Sequence, residues 1–290
     1  MGGTATIALT GGSEELLTEL FTLADRCESL WSRFSERSDL TVLNWAEGVA
    51  TTVDPLTIRL IRAMREGYLI TGGDFDPTLL PALLAVGYSA SILDGSRRST
   101  LPATAHSPGN LNTSKIIGNV VTLGRGTTLD AGGLGKGLVA DIICEAAIAG
   151  GARGAMAEIS GDIVVLGEAP HDTAWHLSIE DPFDTAQNLD RVRLIDAAIV
   201  TSSQLKRRWQ SGSAQWHHLI DPRTNTSAKT RVQTATVIAA TGAHAEALTK
   251  PAFMREPHIY LEWLPTVGGA GLLVLDDRSI HVSDNWGQYR

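Results

Sequence analysis

Four short stretches of this chain carry residues whose types and spacing could do chemistry. The first is Leu129 to Ile142, LDAGGLGKGLVADI, where Gly132, Gly133 and Gly135 crowd Lys136 and an apolar helical pattern follows. Backbone amides at a helix N-terminus lack partners and sit at the positive end of the helix dipole, so they attract anions. Glycines let the backbone come close, and Lys136 adds a charge. That is one way to hold a phosphate. The other reading is a tight strand-to-helix turn with an exposed lysine, and spacing alone does not separate the two. A Walker A loop is excluded, because it needs glycine at Asp130 and Ser or Thr at Gly137. The dinucleotide pattern is met only in its looser form, at Gly135, Gly137 and Ala140.

The second stretch is HHLIDPRTN, His217 to Asn225. Asp-Pro-Arg-Thr-Asn is a turn, and Asn225 suits the left-handed conformation. A histidine just before it could serve as a general base near neutral pH. The plainer reading is one packed and one exposed histidine at a strand edge. In the third, AEALTK, Glu246 and Lys250 stand four apart on a helix. They can pair there, most simply as a solvated surface pair. The fourth, GDFDPT, holds Asp74 and Asp76. Paired carboxylates can bind a metal or share acid–base work, although Asp-Pro-Thr also caps helices.

These stretches need elements to position them. The 290 residues are 43% hydrophobic and 19% charged, enough for a large core. With a net charge of −8 there is no basic face to expect, so nucleic acid is a poor partner. Cys27 and Cys144 form neither a disulfide framework nor a zinc motif. No apolar run reaches the roughly 18 residues of a membrane span, and no export signal opens the sequence. The expected location is therefore cytoplasmic. Thr4 to Leu9 reads as a strand. Ser13 caps a helix whose buried face holds Leu17, Leu20, Phe21, Ala24 and Trp31. SRFSERSDLTVLN reads as a polar loop. Asp54-Pro55 starts a helix that buries Leu60, Ile61, Met64 and Tyr68. Val139, Ile142, Ile143, Ala146 and Ala147 stripe the helix after Lys136, and Gly150-Gly151 stops it. NVVTLG, DIVVLG, AWHLSIE, DRVRLI, AAIVTSS and TATVIAA are strand-like, and AGLLVLDD with SIHVSD reads as a closing hairpin. Strands interleaved with a few helices predict an α+β or mixed α/β fold, with the topology left open.

Taken in order, SRFSERSDLTVLN, GDFDPT, LDAGGLGKGLVAD, SGDIVVLG and TSSQ followed by HHLIDPRT resemble the ApbE-like family of FAD:protein FMN transferases. The resemblance runs nearly the full length. It implies one domain over residues 1–290, built of two lobes with FAD in the cleft between them. Ser38, Asp39, Leu40 and Asn44 would lie near the flavin end, and Phe75, Asp76, Pro77 and Thr78 would shape the adjoining wall. Gly132, Gly133 and Lys136 would face the pyrophosphate. Asp141, Glu158, Ser160, Thr201, His218 and Lys250 complete the implied cofactor-binding set.

The resemblance also implies a reaction. A Ser or Thr hydroxyl of an acceptor protein attacks the FMN-side phosphorus of FAD, and AMP leaves. Mg²⁺ bridges the pyrophosphate and neutralises developing charge. His218 matches the family's histidine before the Asp-Pro turn, the position proposed as base. In the family the metal helix reads Ala-Asp-x-x-x-Thr, with a carbonyl from the glycine turn. Here the matching residues are Glu246 and Lys250, with Gly133 offering the carbonyl. A protonated lysine has no lone pair to give and repels a dication. The expectation is that Lys250, paired with Glu246, touches the pyrophosphate itself and makes Mg²⁺ dispensable. Glu158 and Ser160 replace the Asn and Gly of NxGGD, Asn225 replaces a glycine, and Ser203 stands where Gly follows Thr-Ser. Three rivals stay open: an FAD hydrolase releasing FMN and AMP, a metal-independent homologue keeping FAD as redox cofactor or carrier, and a phosphate-site protein unrelated to flavin. Many relatives are exported lipoproteins, and the opening MGG falls where the family has an internal MGT, which leaves room for a longer natural N-terminus.

Overall fold

The computed structural model describes residues 3–91, 93–211 and 214–290. The chain opens with β1 (Ala5–Thr10), α1 (Glu14–Trp31), α2 (Asp39–Trp45), β2 (Thr51–Thr52), α3 (Pro55–Ile70) and α4 (Leu80–Ala85). Then come β3 (Lys115–Ile117), β4 (Val120–Thr122), α5 (Gly135–Ala149), β5 (Gly154–Ile159), β6 (Asp162–Gly167), β7 (Trp175–Asp181) and β8 (Asp184–Leu194). Next are β9 (Ala197–Ser203), β10 (Arg208–Ser211), β11 (Ala214–His217), β12 (Ile220–Asp221) and β13 (Thr226–Ser227). The chain closes with β14 (Val232–Ala239), α6 (Gly242–Thr249), α7 (Pro257–Trp263), β15 (Ala270–Leu275) and β16 (Ile280–Val282). They divide into two compact units. Unit 1 takes Asp25–Gly135 and Arg207–Ala228; unit 2 takes Gly3–Ala24, Lys136–Lys206 and Lys229–Arg290.

Unit 2 is built on a seven-stranded sheet in the order β1-β5-β6-β9-β14-β15-β16. Every neighbouring pair in it is antiparallel. β14 and β15 are buried at every position; β15 is an unbroken apolar run, as a strand covered on both faces requires, while β14 buries Gln233, Thr234 and Thr236 as well. α5 is apolar nearly all round and is buried accordingly. It ends where Gly151 takes φ +95°, the left-handed cap expected of Gly150-Gly151. β7 and β8 form a separate hairpin whose Trp175, Ile179, Val192 and Leu194 join a core with Ile199, Ile238, Leu272 and Trp286.

Unit 1 packs α2, α3 and α4 with a three-stranded sheet, β2-β4-β3. Asp54 caps α3 by accepting from Leu56 N–H, with Pro55 in the first turn. The polar loop expected over SRFSERSDLTVLN is only half right. Ser38 accepts from Thr41 N–H and starts α2, a helix of seven residues, too short to show a hydrophobic period. On α1 the buried stripe is Leu16, Leu20, Cys27 and Trp31, whereas Phe21 is 39% exposed. Among the described residues no helix is long and apolar enough to cross a membrane.

Candidate functional site

Within unit 2, three of the quoted stretches meet around one ammonium group. Lys136, in the first turn of α5, donates to Asp162 at the start of β6 and to Glu246 Oε1 of α6, the latter at 2.9 Å. The next amide, Gly137 N–H, donates to Glu246 Oε2 at 2.8 Å. The anion seated on the opening of α5 is thus the protein's own carboxylate. One turn on, Asp141 accepts from Gly242 N–H at 2.6 Å and Ala243 N–H at 2.9 Å, so it anchors the start of α6. The two helices touch backbone to backbone there. A Cβ on Gly137 would lie 2.2 Å from the Gly242 carbonyl oxygen, which is why no Ser or Thr can follow Lys136. Asp162 is delivered by the two-residue turn between β5 and β6, where Ser160 (φ +55°) and Gly161 (φ +91°) are both left-handed.

Lys250 closes α6 at its C-cap. Its ammonium donates to the Glu246 carbonyl at 2.9 Å, to Thr249 Oγ1 at 3.0 Å and to Ser202 Oγ at 3.3 Å. Two plain readings of the sequence therefore fail. Glu246 is 1% exposed and its carboxylate is bound by Lys136, so AEALTK is no solvated surface pair. The Lys136 side chain is 16% exposed and doubly paired, so it is no free surface lysine. Burial works against the charge on Lys136, but Asp162 and Glu246 outweigh it and raise its pKa. Burial, helped by the Glu246 charge, pushes Asp162 up to about 6 despite Lys136. Thr201 is exposed on β9, with Oγ1 2.8 Å from Thr236 Oγ1, and Glu158 is half-buried on β5.

In unit 1, the candidates hold their surroundings together. Asn44 clamps the backbone of Leu129, donating to its carbonyl at 2.9 Å and accepting from its N–H at 2.7 Å. Asp39 accepts from Asp54 N–H and Thr57 Oγ1, while Leu40 is core. Asp76 accepts from the N–H and hydroxyl of Thr78 rather than capping α4, and burial raises its pKa. Phe75 and Thr78 are buried, and the Pro77 carbonyl accepts from Asp130 N–H. Ala131–Gly133 form a single 3-10 turn, with Gly132 exposed and Gly133 half-exposed. The two histidines part company. His217 is buried, donating from Nε2 to the Ala228 carbonyl, whereas His218 is half-buried at the bend after β11. Asn225 takes φ +56°.

The sequence reading missed Asp162, Ser202 and Thr249 beside the lysines of unit 2. It also missed Arg33 in unit 1, buried with its guanidinium 3.7 Å from Asp130. Asp162 had a signal, a lone carboxylate opening the apolar run DIVVLG. The residues present do not fit Mg²⁺. Both Glu246 oxygens and Asp162 are engaged within the protein, and position 250 brings a cation. Among the described residues no group of three or more His, Cys, Asp or Glu is placed to hold a metal ion.

A model of the ApbE family matches residues 1–271. The FAD:protein FMN transferase of Treponema pallidum is 29% identical over 258 residues, covering 82% of this chain and 70% of that protein. That of Klebsiella pneumoniae is 25% identical, covering 82% and 75%. Two solved structures share the fold. The ApbE protein of Thermotoga maritima matches with a TM-score of 0.84 at 22% identity, over 98% of this chain and 94% of that one. The flavin transferase ApbE of Vibrio cholerae matches at 0.80 and 20% identity, over 100% and 96%.

Proposed function

From the premise that this chain belongs to the ApbE family, we propose that it is an FAD:protein FMN transferase, as the relatives in Treponema and Klebsiella are named. One observation carries the reading beyond family membership. Three separate motif segments, LDAGGLGKGLVAD, SGDIVVLG and AEALTK, supply Lys136, Asp162 and Glu246 to a single buried ion cluster. A chain builds such a cluster at a cost in desolvation, and buried charge clusters of this kind concentrate at functional sites.

In the proposed reaction the acceptor's Ser or Thr oxygen bonds to the FMN-side phosphorus. The bond from that phosphorus to the bridging oxygen breaks, and AMP leaves with that oxygen. His218 takes the hydroxyl proton. The chain's part is positioning and charge stabilisation, the usual burden in phosphoryl transfer. Ser38, Asp39, Leu40, Asn44, Phe75, Asp76, Pro77, Thr78, Gly132, Gly133, Lys136, Asp141, Glu158, Ser160, Thr201, His218 and Lys250 are proposed to bind FAD.

The test is chromatography of nucleotides after incubation with FAD, with and without an acceptor domain presenting an accessible Ser or Thr. The expected result is AMP in step with flavinylated acceptor and none without it. AMP at equal rate without acceptor would make the protein a hydrolase. A second reading, FAD held uncleaved as cofactor, is favoured by one observation: Lys136 already engages both carboxylates of the cluster, which leaves them occupied within the protein. Bound FAD with no AMP under either condition would establish it in place of the first.

A further inference from the structure

Five oxygens in unit 2 face two ammonium groups. Asp162 Oδ2 and Glu246 Oε1 engage Lys136. The Glu246 carbonyl, Thr249 Oγ1 and Ser202 Oγ engage Lys250. Glu246 belongs to both sets, its carboxylate turned to one lysine and its carbonyl to the other. Carboxylate, carbonyl and hydroxyl oxygens are the donors that hard divalent cations take. Two carboxylates against two ammonium groups leave the quartet neutral. A dication entering would have to expel one lysine and would meet the other as a like charge.

We infer that Lys250 and Lys136 fill a cation site from within, so that the protein binds no divalent metal at Glu246 and Lys250 is the cation offered to a diphosphate substrate. The metal half of this inference stands on the donors alone. The substrate half rests on the proposed function. Lys250 suits the role better than Lys136, because Lys136 donates directly to two carboxylates, whereas Lys250 donates to a carbonyl and two hydroxyls and shares the field of Asp162.

The test of the metal half is titration of Mn²⁺ into the full chain, free of FAD, followed by calorimetry. Wild type and Lys250→Arg should show no binding up to millimolar concentration. Lys250→Thr and Lys250→Ala should acquire an EDTA-reversible site, about tenfold tighter or more than any wild-type binding, once one of the two like charges is gone. Circular dichroism melts confirm that the variants are folded. Binding of Mn²⁺ by wild type, or folded Lys250→Thr and Lys250→Ala variants as blind to Mn²⁺ as wild type, overturns the metal half. For the substrate half, FAD should bind wild type equally in EDTA and in excess Mg²⁺. Lys250→Met should weaken it about tenfold or more, and Lys250→Arg should largely retain it. A Lys250→Met variant with unchanged affinity overturns that half. If wild type binds no FAD at all, the proposed function and the substrate half fall, while the Mn²⁺ result still decides the metal half.

Discussion

Lys136 and Glu246 stand 110 positions apart and meet at 2.9 Å in the interior of unit 2, with Glu246 1% exposed. The second oxygen of the same carboxylate takes the Gly137 amide. A cationic side chain and a helix N-terminus, the two elements that suggested a phosphate site in the sequence, thus share an internal anion. Replacing Lys136 by Met should leave the Asp162 and Glu246 carboxylates buried and facing one another. The expected loss is about 3–5 kcal/mol, the range for breaking one side of a buried pair. Urea unfolding monitored by circular dichroism checks it, and a loss within about 0.5 kcal/mol, the size of an ordinary surface change, would contradict it.

Asn44 should prove a positioning residue. Its amide satisfies both backbone groups of Leu129, just ahead of the glycine turn. Asn44→Ala leaves a buried N–H and C=O unpaired, at about 1–3 kcal/mol each. Asn44→Asp keeps the acceptor for Leu129 N–H but turns a carboxylate oxygen on its carbonyl, so it should rescue little. Equal stability of all three proteins in urea would remove the clamp from the account.

His217 gives unit 1 a pH dependence. Its Nε2 donates to the Ala228 carbonyl at 3.0 Å and its Nδ1 accepts from Leu219 N–H at 3.3 Å, so the ring is held neutral. Burial lowers its pKa from the ordinary histidine value. As pH falls through about 6.5 the unfolded chain takes up the proton before the native one does, so stability present above that pH is lost below it. The urea midpoint should drop between about pH 7.5 and about pH 5.5, and His217→Gln should reduce that drop. An identical drop in the variant would place the effect elsewhere.

The two cysteines should be inert in the native protein. Burial pushes the Cys27 thiol up to about 11 and the Cys144 thiol up to about 12. Thiolate is the reactive form, so a disulfide reagent at neutral pH should label neither until denaturant is added. Labelling of either residue at the rate of a free thiol would show that these sites open far more readily than their packing implies.

Local signals in the sequence were read well where the chemistry was local. Asp54-Pro55 starts α3, Gly150-Gly151 ends α5 and Asn225 turns left-handed, each because a single residue meets a backbone need nearby. The strand order was out of reach, because β1 pairs with β5 and β9 with both β6 and β14, pairings set by tertiary packing rather than by neighbouring residues. α2 reads as loop in the sequence because seven residues give no period to count, although Ser38 is a capping type. The ion cluster was half legible. Lys136, Glu246 and Lys250 stood out by type and spacing, but the ring of partners did not. Asp162 reaches Lys136 of α5 from the strand β6, and Lys250 turns to the carbonyl of Glu246 instead of its carboxylate. A sequence gives the charges near one another in register; it does not give which oxygen each will face.

The central claim, transfer of FMN from FAD to protein, is tested most directly by the intact mass of an acceptor domain after incubation with this protein and FAD in EDTA. The account predicts a covalent gain of one FMN less one water, lost when the acceptor's Ser or Thr is changed to Ala. An acceptor of unchanged mass, in EDTA and again with excess Mg²⁺, would contradict it.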